Sequence, residues 1–483
     1  MIQINHYIQG RRKASQPSQL HPALNPYNGE TIAEFPYASA EEVNSAVESA
    51  AEAFVHWRRS ESRQRGEYLT RMADEIEKRA EQIATAISQS CGKPISEARF
   101  DVQDSVDCYR YYADIANGLD DNNNLSVTVS DKAFSSRLQY QPTGVVALIT
   151  PWNFPTVTTS WKLAPALAAG CTVVLKPSEY TPLAESFLAD ICDAADIPPG
   201  VVNIIYGAAE AGSHLIKHPS VRKVSFTGST TTGAFISHAC ADDIKNVSLE
   251  LGGKSPVIVF DDADIEQAVS AVTGGILFNN GQMCSATSRL LVQQNIAPQL
   301  LRRLRQTFAD MRPGDPADDN CVLGPLANQA QYEKVCAYFD IAAEEKLNLL
   351  TGGKAFAHPT SQFMVEPTIY TDVPLNSRLW TEEIFGPVLC THTFTSEDEA
   401  IAIANDCDYG LAATIISATD EHGERIADQI EAGHIWINTD QRVLTETSWG
   451  GMKKSGLGRE LGPWGLSAYR EVKHITRCTG GKA

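Results

Sequence analysis

The chain lacks several things that would narrow its function at once. Its eleven cysteines run from Cys91 to Cys478 without a single CxxC pair or a Cys/His cluster at zinc spacing, so no zinc or other metal site is expected. Their odd number and scatter suit reduced, buried, small apolar residues in a reducing compartment. No apolar run nears the roughly 18 residues of a membrane span. Met1–His6 carries no apolar signal core, so the expected location is cytoplasmic, with no membrane partner. Basic charge is short: 40 Lys+Arg against 59 Asp+Glu give −19, which argues against a broad nucleic-acid footprint. Gly (33) and Pro (24) are too few for a collagen-like or low-complexity chain.

What is present is an ordinary globular composition, 43% apolar and 20% charged over 483 residues. At roughly 100–200 residues per domain, that length means about two to four domains. The first 40 residues read as short strands and turns, and 41–118 as helices. Short β-branched runs then alternate with helical stretches: Val145–Ile149, Thr172–Leu175, Val201–Ile205, Lys223–Phe226 and Pro256–Phe260 against 158–170, 181–195, 208–218 and 231–241. Such alternation predicts βαβ units and a parallel sheet, an α/β fold. A second set follows, with helices near 264–279, 296–311, 328–345 and 397–406. Its strands are Arg289–Val292, Val388–Phe394, Ala413–Ser417 and His434–Asn438, in a second α/β domain beginning near 251. Asp120–Ser130 and the tail after 460 stand apart and are able to pair as an appended sheet.

Five segments carry possible chemistry. Cys284, in a glycine-flanked turn, is either a small apolar residue or a nucleophile, the latter needing exposure and a lowered pKa. Glu250 lies between two leucines before Gly252-Gly253. It is either an exposed strand-end carboxylate or a desolvated general base. Asn153, in Thr150-Pro151-Trp152-Asn153-Phe154-Pro155 after a buried strand, is part of a rigid turn or a fixed donor to an oxyanion. Lys176-Pro177-Ser178-Glu179 also follows a strand, where an acidic residue suits a ribose diol and repels a 2′-phosphate, favouring NAD over NADP. Phe226-Thr227-Gly228-Ser229 opens a helix whose N-terminus suits phosphate.

In this order, with Glu382-Glu383-Ile384-Phe385-Gly386-Pro387 and Gly450-Gly451-Met452-Lys453-Lys454-Ser455-Gly456, the motifs resemble the NAD(P)-dependent aldehyde dehydrogenase superfamily over essentially the whole chain. The resemblance implies a Rossmann-type cofactor domain (1–119 and 143–250), an α/β catalytic domain (251–445) and a small bridging, oligomerising sheet (120–142 and 460–483) in a dimer or tetramer. It implies Cys284 as nucleophile and Glu250 as base, the latter disfavouring a CoA-acylating enzyme. Asn153 and the Cys284 N–H would hold the oxyanion of a thiohemiacetal that yields a thioester and then the acid. Thr150, Trp152, Lys176, Ser178, Glu179, Gly228 and Ser229 match cofactor positions, as do Glu383 and Phe385 on the nicotinamide-ribose side. Lys162 and Glu460 match a proton-relay pair.

The segments 284–292 and 458–466 are most similar to the betaine aldehyde and ω-aminoaldehyde branch. That similarity puts Phe154, Trp161, Phe278 and Trp449 in an aromatic box for a cationic aldehyde, and Asp101 and Asp104 on a helix face at the tunnel mouth. On a helical path Phe154 and Trp161 would share a face. His434 occupies a tunnel position that is usually small, where it would narrow the pocket or, if protonated, repel a cation. A semialdehyde, or a general aliphatic or aromatic aldehyde, is the alternative, with Arg442 available to an anion. A cofactor-free thiol esterase and a chain that has lost catalysis are further readings. The intact cofactor and catalytic motifs oppose them.

Overall fold

The computed structural model describes residues 2–15, 19–119, 124–439 and 441–479. Residues 1, 16–18, 120–123, 440 and 480–483, which the segments assigned above include, lie outside the described residues.

Two sheets organise the chain. In the first, the inner strands Asn246–Glu250, Val221–Thr227, Val145–Ile149, Thr172–Lys176 and Val202–Ile204 lie side by side and parallel. Antiparallel strands close both edges: Gly456–Leu457 on one side, His6–Ile8 and Arg11–Lys13 on the other. The sheet is therefore mixed, where the sequence pattern predicted a parallel one. Val145–Ile149 and Thr172–Lys176 are buried throughout, as strands covered on both faces must be. The chain runs outward from Val145–Ile149 through Thr172–Lys176 to Val202–Ile204, then returns to place Val221–Thr227 on the other side of Val145–Ile149. The crevice at the C-terminal ends of those two strands is thus the switch point where ligands bind in such sheets.

The second sheet has seven strands, in the order Asn348–Thr351, Thr368–Thr371, Val388–Phe394, Arg289–Gln293, Pro256–Val259, Ala412–Ile416 and His434–Ile437. Pro256–Val259, grouped by pattern with the first set, pairs here instead. Arg470–Cys478 and Asn124–Val127 each pair antiparallel with Phe134–Pro142 in a separate sheet, so the two segments that stood apart join one sheet through a strand between them and do not pair with each other.

Helix Ala40–Trp57 packs on the first sheet, while Ser62–Lys78, Ala80–Cys91 and Ile95–Asn117 form a further layer against the helices Pro155–Ala169 and Pro182–Ala194. Ser39 starts the first with a reciprocal capping box to Glu42. The helix Pro155–Ala169 has nearly every residue buried, including Thr158, Thr159, Ser160 and Lys162. It brings Trp161 and Lys162 into the interior beneath the switch point.

Candidate active site

Glu250 is the last residue of its strand and only 3% exposed. Neither carboxylate oxygen has a hydrogen-bond partner among the described residues. Burial pushes this carboxyl well above the usual range, the charge of Glu460 adds to the shift, and Lys162 and Arg459 oppose it. The exposed strand-end alternative is thereby excluded. Cys284 is half-buried just after the 3-10 turn Phe278–Gly281. Burial, then the charges of Glu250 and Glu383, push its thiol up to about 12, against backbone amides that pull it down. Desolvation and the two carboxylates outweigh the amides, so the surroundings of Cys284 work against the lowered pKa that a nucleophile needs, and its thiol requires a base.

Asn153 is held by hydrogen bonds rather than by its flanking prolines alone. Its Nδ2 donates to the Gln282 carbonyl at 2.9 Å, and Asn279 Nδ2 donates to the Asn153 carbonyl at 3.1 Å. Its second Nδ2 hydrogen remains available to a ligand. Gln282 is fixed in turn, donating to Asn279 O and accepting from Ala327 N. Of the paired glycines after Glu250, Gly253 is a steric necessity, because it meets backbone, whereas Gly252 meets the end of a side chain. A Cβ on Gly253 would sit 2.5 Å from the Cys284 carbonyl, and one on Gly252 would sit 2.5 Å from the Glu383 carboxylate. Glu383 accepts from Gly253 N at 2.9 Å, which ties the second unit to the Glu250 strand end.

Lys162 and Glu460 form an ion pair with almost no exposure. Lys162 Nζ also donates to Thr227 Oγ1 at 2.6 Å, and Ser225 Oγ to Glu460 Oε1 at 3.3 Å. The Glu460 backbone bridges that of Trp449 through two 2.7 Å hydrogen bonds, so the ion pair and an aromatic wall move together.

On the cofactor side, Lys176 is buried at its strand end. It donates to the Pro177 and Gly207 carbonyls and lies 3.8 Å from half-exposed Glu179. Ser178 is buried and accepts from Tyr180 N within the same turn. Ser229 caps Thr230–Ala241, a helix with no acidic side chain in its first turn. Gly228 N donates to the Glu250 carbonyl. Thr150 Oγ1 donates to the buried Glu185. Trp152 and Phe385 meet edge-on at 5.5 Å. Phe385 has a left-handed backbone (φ 63°), held by Gln331 Nε2 on its carbonyl at 2.7 Å. A carboxylate beside a lysine, a helix N-terminus without acids and a second carboxylate against an aromatic edge together fit a dinucleotide's ribose, pyrophosphate and second ribose.

The four aromatic residues fall into two pairs. Phe154 and Phe278 stack at 6.2 Å, and Trp161 and Trp449 meet T-shaped at 5.8 Å. Phe154 lies before the helix rather than on it, so the expected shared helical face is not formed. Lys93 Nζ already covers the Phe154 ring at 3.6 Å. The paired reading of Asp101 and Asp104 also divides. Asp101 is 3% exposed and ion-paired to Lys93, so it is not a tunnel-mouth group. Asp104 faces the Trp161 indole, and burial pushes its carboxyl up to about 7. His434 lies 4.5 Å from the Trp436 ring and 5.6 Å from Trp449. Burial lowers its pKa, so it is neutral and does not repel a cation. Arg442 is exposed, its carbonyl accepting from Trp436 Nε1. Among the described residues no group of three or more His, Cys, Asp or Glu is placed to hold a metal, and no helix is long and apolar enough to cross a membrane.

Sequence reasoning missed Asn279, Gln282, Lys93, Glu185 and Thr227. The signal for two was at hand, since Asn279 and Gln282 flank the nucleophile turn. Glu185 and Lys93 reach their partners only through the tertiary fold.

The aldehyde dehydrogenase family profile matches residues 12–475. The chain is 44% identical over 476 residues to aminoaldehyde dehydrogenase 2, peroxisomal, of Malus domestica, covering 97% of this chain and 95% of that protein. It is 42% identical over 479 residues to betaine aldehyde dehydrogenase, chloroplastic, of Amaranthus hypochondriacus, covering 98% and 96%. A crystal structure of Staphylococcus aureus betaine aldehyde dehydrogenase in complex with NAD+ superposes with a TM-score of 0.96 at 35% identity, covering 99% of this chain and 96% of that one. Fold, site geometry and these similarities agree: the chain is an oxidoreductase of the aldehyde dehydrogenase family.

Proposed function

We propose that the enzyme oxidises a cationic aldehyde to its carboxylic acid with NAD, and that ω-aminoaldehydes are preferred to betaine aldehyde. The observation that carries the substrate class is Asp104 against Trp161, with the Trp161–Trp449 pair on the wall that also holds the Glu460 backbone. A carboxylate and aromatic faces together attract an ammonium group, each ring contributing roughly 0.5–2 kcal/mol. Neutral His434 takes up space beside Trp449, which favours a slender primary ammonium over a trimethylammonium group.

In this reading the Cys284 thiol passes its proton to Glu250 and the thiolate adds to the aldehyde carbon. The oxyanion accepts hydrogen bonds from the free Asn153 amide hydrogen and the Cys284 N–H. NAD, held by Glu179, Lys176, the helix end at Ser229 and Glu383, supplies the hydride acceptor. Once that first proton has left for solvent, the Glu250 carboxylate takes a second from the water that attacks the thioester, and the acid leaves. The semialdehyde alternative loses support: Arg442 is exposed, while Asp104 would repel an anion. The oligomer we infer joins copies through the three-stranded sheet, where Leu125, Phe134, Val472 and Ile475 are exposed. Eleven free cysteines suit a reducing compartment such as the cytoplasm.

The test is NADH absorbance with purified enzyme, NAD and a panel of 4-aminobutanal, betaine aldehyde, succinic semialdehyde, benzaldehyde and hexanal. The expected result is a cationic aldehyde leading in kcat/KM by about tenfold or more, ~1.4 kcal/mol of transition-state preference. A lead for succinic semialdehyde or hexanal would overturn the substrate class and leave the family standing.

A further inference from the structure

The segment 150–159 carries two residues of the proposed reaction, Trp152 on the cofactor side and Asn153 at the reacting carbon. It leaves the strand Val145–Ile149 at Thr150 and has entered the helix Pro155–Ala169 by Thr159. Between them, residues 151–154 form neither helix nor strand, and Pro151 and Pro155 offer no backbone N–H. The position of this stretch is therefore set by groups outside it.

Glu185 is such a group. It stands in the first turn of the helix Pro182–Ala194 and is 2% exposed. Its Oε1 accepts from Thr150 Oγ1 at 3.0 Å and from Thr159 Oγ1 at 3.1 Å. One carboxyl oxygen thus grips the segment at both ends. Thr150 N also donates to the Lys176 carbonyl at 3.3 Å, which ties the first end to the neighbouring strand. Glu185 Oε2 has no hydrogen-bond partner among the described residues. The side chain borders a cavity of about 30 Å³ together with Val102, Tyr109, Leu188 and Thr156.

An acid buried against such walls is costly, and the two threonine hydroxyls are its hydrogen-bond return. An apolar side chain would suit the same walls better, so the acceptor is what distinguishes the residue. Burial pushes the carboxyl up to about 8, against the two hydroxyls and the charge of Lys176, so at pH 7 it is a neutral acid.

We propose that Glu185 is a positioning residue for the reaction: by holding Thr150 and Thr159 it sets Trp152 against the cofactor and aims the free Asn153 amide hydrogen at the oxyanion. It works from one side of the segment, while Gln282 and Asn279 hold Asn153 from the other. Glu185 acts through these residues and is not itself catalytic. The inference rests on Asn153 being the oxyanion donor.

The experiment measures kcat by NADH absorbance and the NAD dissociation constant by fluorescence titration, at pH 7. The variants are Glu185→Leu, Glu185→Gln and Thr159→Val, alone and in combination with Asn153→Ala. Leucine removes the acceptor, and glutamine keeps it in a neutral group of the same length. Glu185→Leu should lower kcat about tenfold and weaken NAD binding a few-fold, because a slightly misplaced group loses much of its effect. Glu185→Gln should stay within about twofold of wild type, since its amide oxygen still accepts from both threonines. Thr159→Val should lower kcat about fivefold and add nothing to Glu185→Leu, because both remove the same grip. In the Asn153→Ala background, Glu185→Leu should lower kcat no further. Wild-type kcat in folded Glu185→Leu, a full extra loss on top of Asn153→Ala, or Glu185→Gln as impaired as Glu185→Leu would each overturn the proposal. If Glu185→Leu does not fold, Thr159→Val decides on the same criteria. Asn153→Ala with wild-type kcat would overturn the oxyanion reading instead. Glu185 is then judged on NAD binding alone: a few-fold loss in Glu185→Leu keeps it as a positioning residue, and wild-type binding ends that role too.

Discussion

Two buried carboxylates on one wall of the site have opposite surroundings. Glu250 and Glu460 are each 3% exposed. Glu460 has a lysine, a serine hydroxyl and a backbone bridge to Trp449. Glu250 has no hydrogen-bond partner among the described residues, only the edge of Gly450 and the neighbouring charges. A buried carboxylate without a paired cation or donors, as at Glu250, holds a proton avidly and can take it from a thiol or a water. The contrast between the two is set by what surrounds each group, not by residue type.

The comparison can be broken in order of effect. Cys284→Ala should abolish NADH formation, since nothing else in the site offers a carbonyl nucleophile to which Glu250 is coupled; residual dehydrogenase activity above background would refute the assignment. Lys162→Met should turn the Glu460 pocket into a second Glu250 pocket. Removing one partner of a buried pair costs about 3–5 kcal/mol, measured by chemical denaturation, and Lys162→Met together with Glu460→Gln should recover part of it. Asn153→Ala should lower kcat about 10²–10³-fold, as loss of one oxyanion donor does, with little change in cofactor affinity by fluorescence titration. Because the thiol and Glu250 are both shifted upward, their reactive, deprotonated forms grow with pH. Wild-type kcat/KM should therefore climb across about pH 6 to 9, and a flat profile would contradict the shifts.

The smallest effect belongs to Glu185, which burial pushes up to about 8 while Thr150 and Thr159 hydroxyls oppose the shift. Its folded-state pKa lies above the unfolded one, so it lends stability when protonated and withdraws it as pH rises from about 4.5 through 8. Glu185→Gln should be near neutral at pH 5 and raise Tm by about 1–3 °C at pH 8 by thermal scan.

Much of this was legible beforehand. Strands such as Val145–Ile149 and Val388–Phe394 announce themselves as β-branched runs, and they match the observed bounds. Asn246–Glu250 was harder, because its polar face breaks the apolar pattern of a buried strand. Cys284, Glu250 and Asn153 were nameable from their motifs, and the fold brings Glu250 close enough to Cys284 for its charge to bear on the thiol. Their protonation was not legible, since it follows from desolvation that only packing decides. Nor was the fate of Asp101, since helical spacing set it beside Asp104 but could not reveal that Lys93 had claimed it.

The most direct test of the contrast between the two carboxylates is a single-turnover experiment on Glu250→Gln. With NAD and 4-aminobutanal, NADH should form, however slowly, to about one equivalent per active site and then stop, with intact mass showing an acyl group on Cys284. Continuous turnover, or a first equivalent without a trapped acyl group, would contradict Glu250 as the base that releases the product.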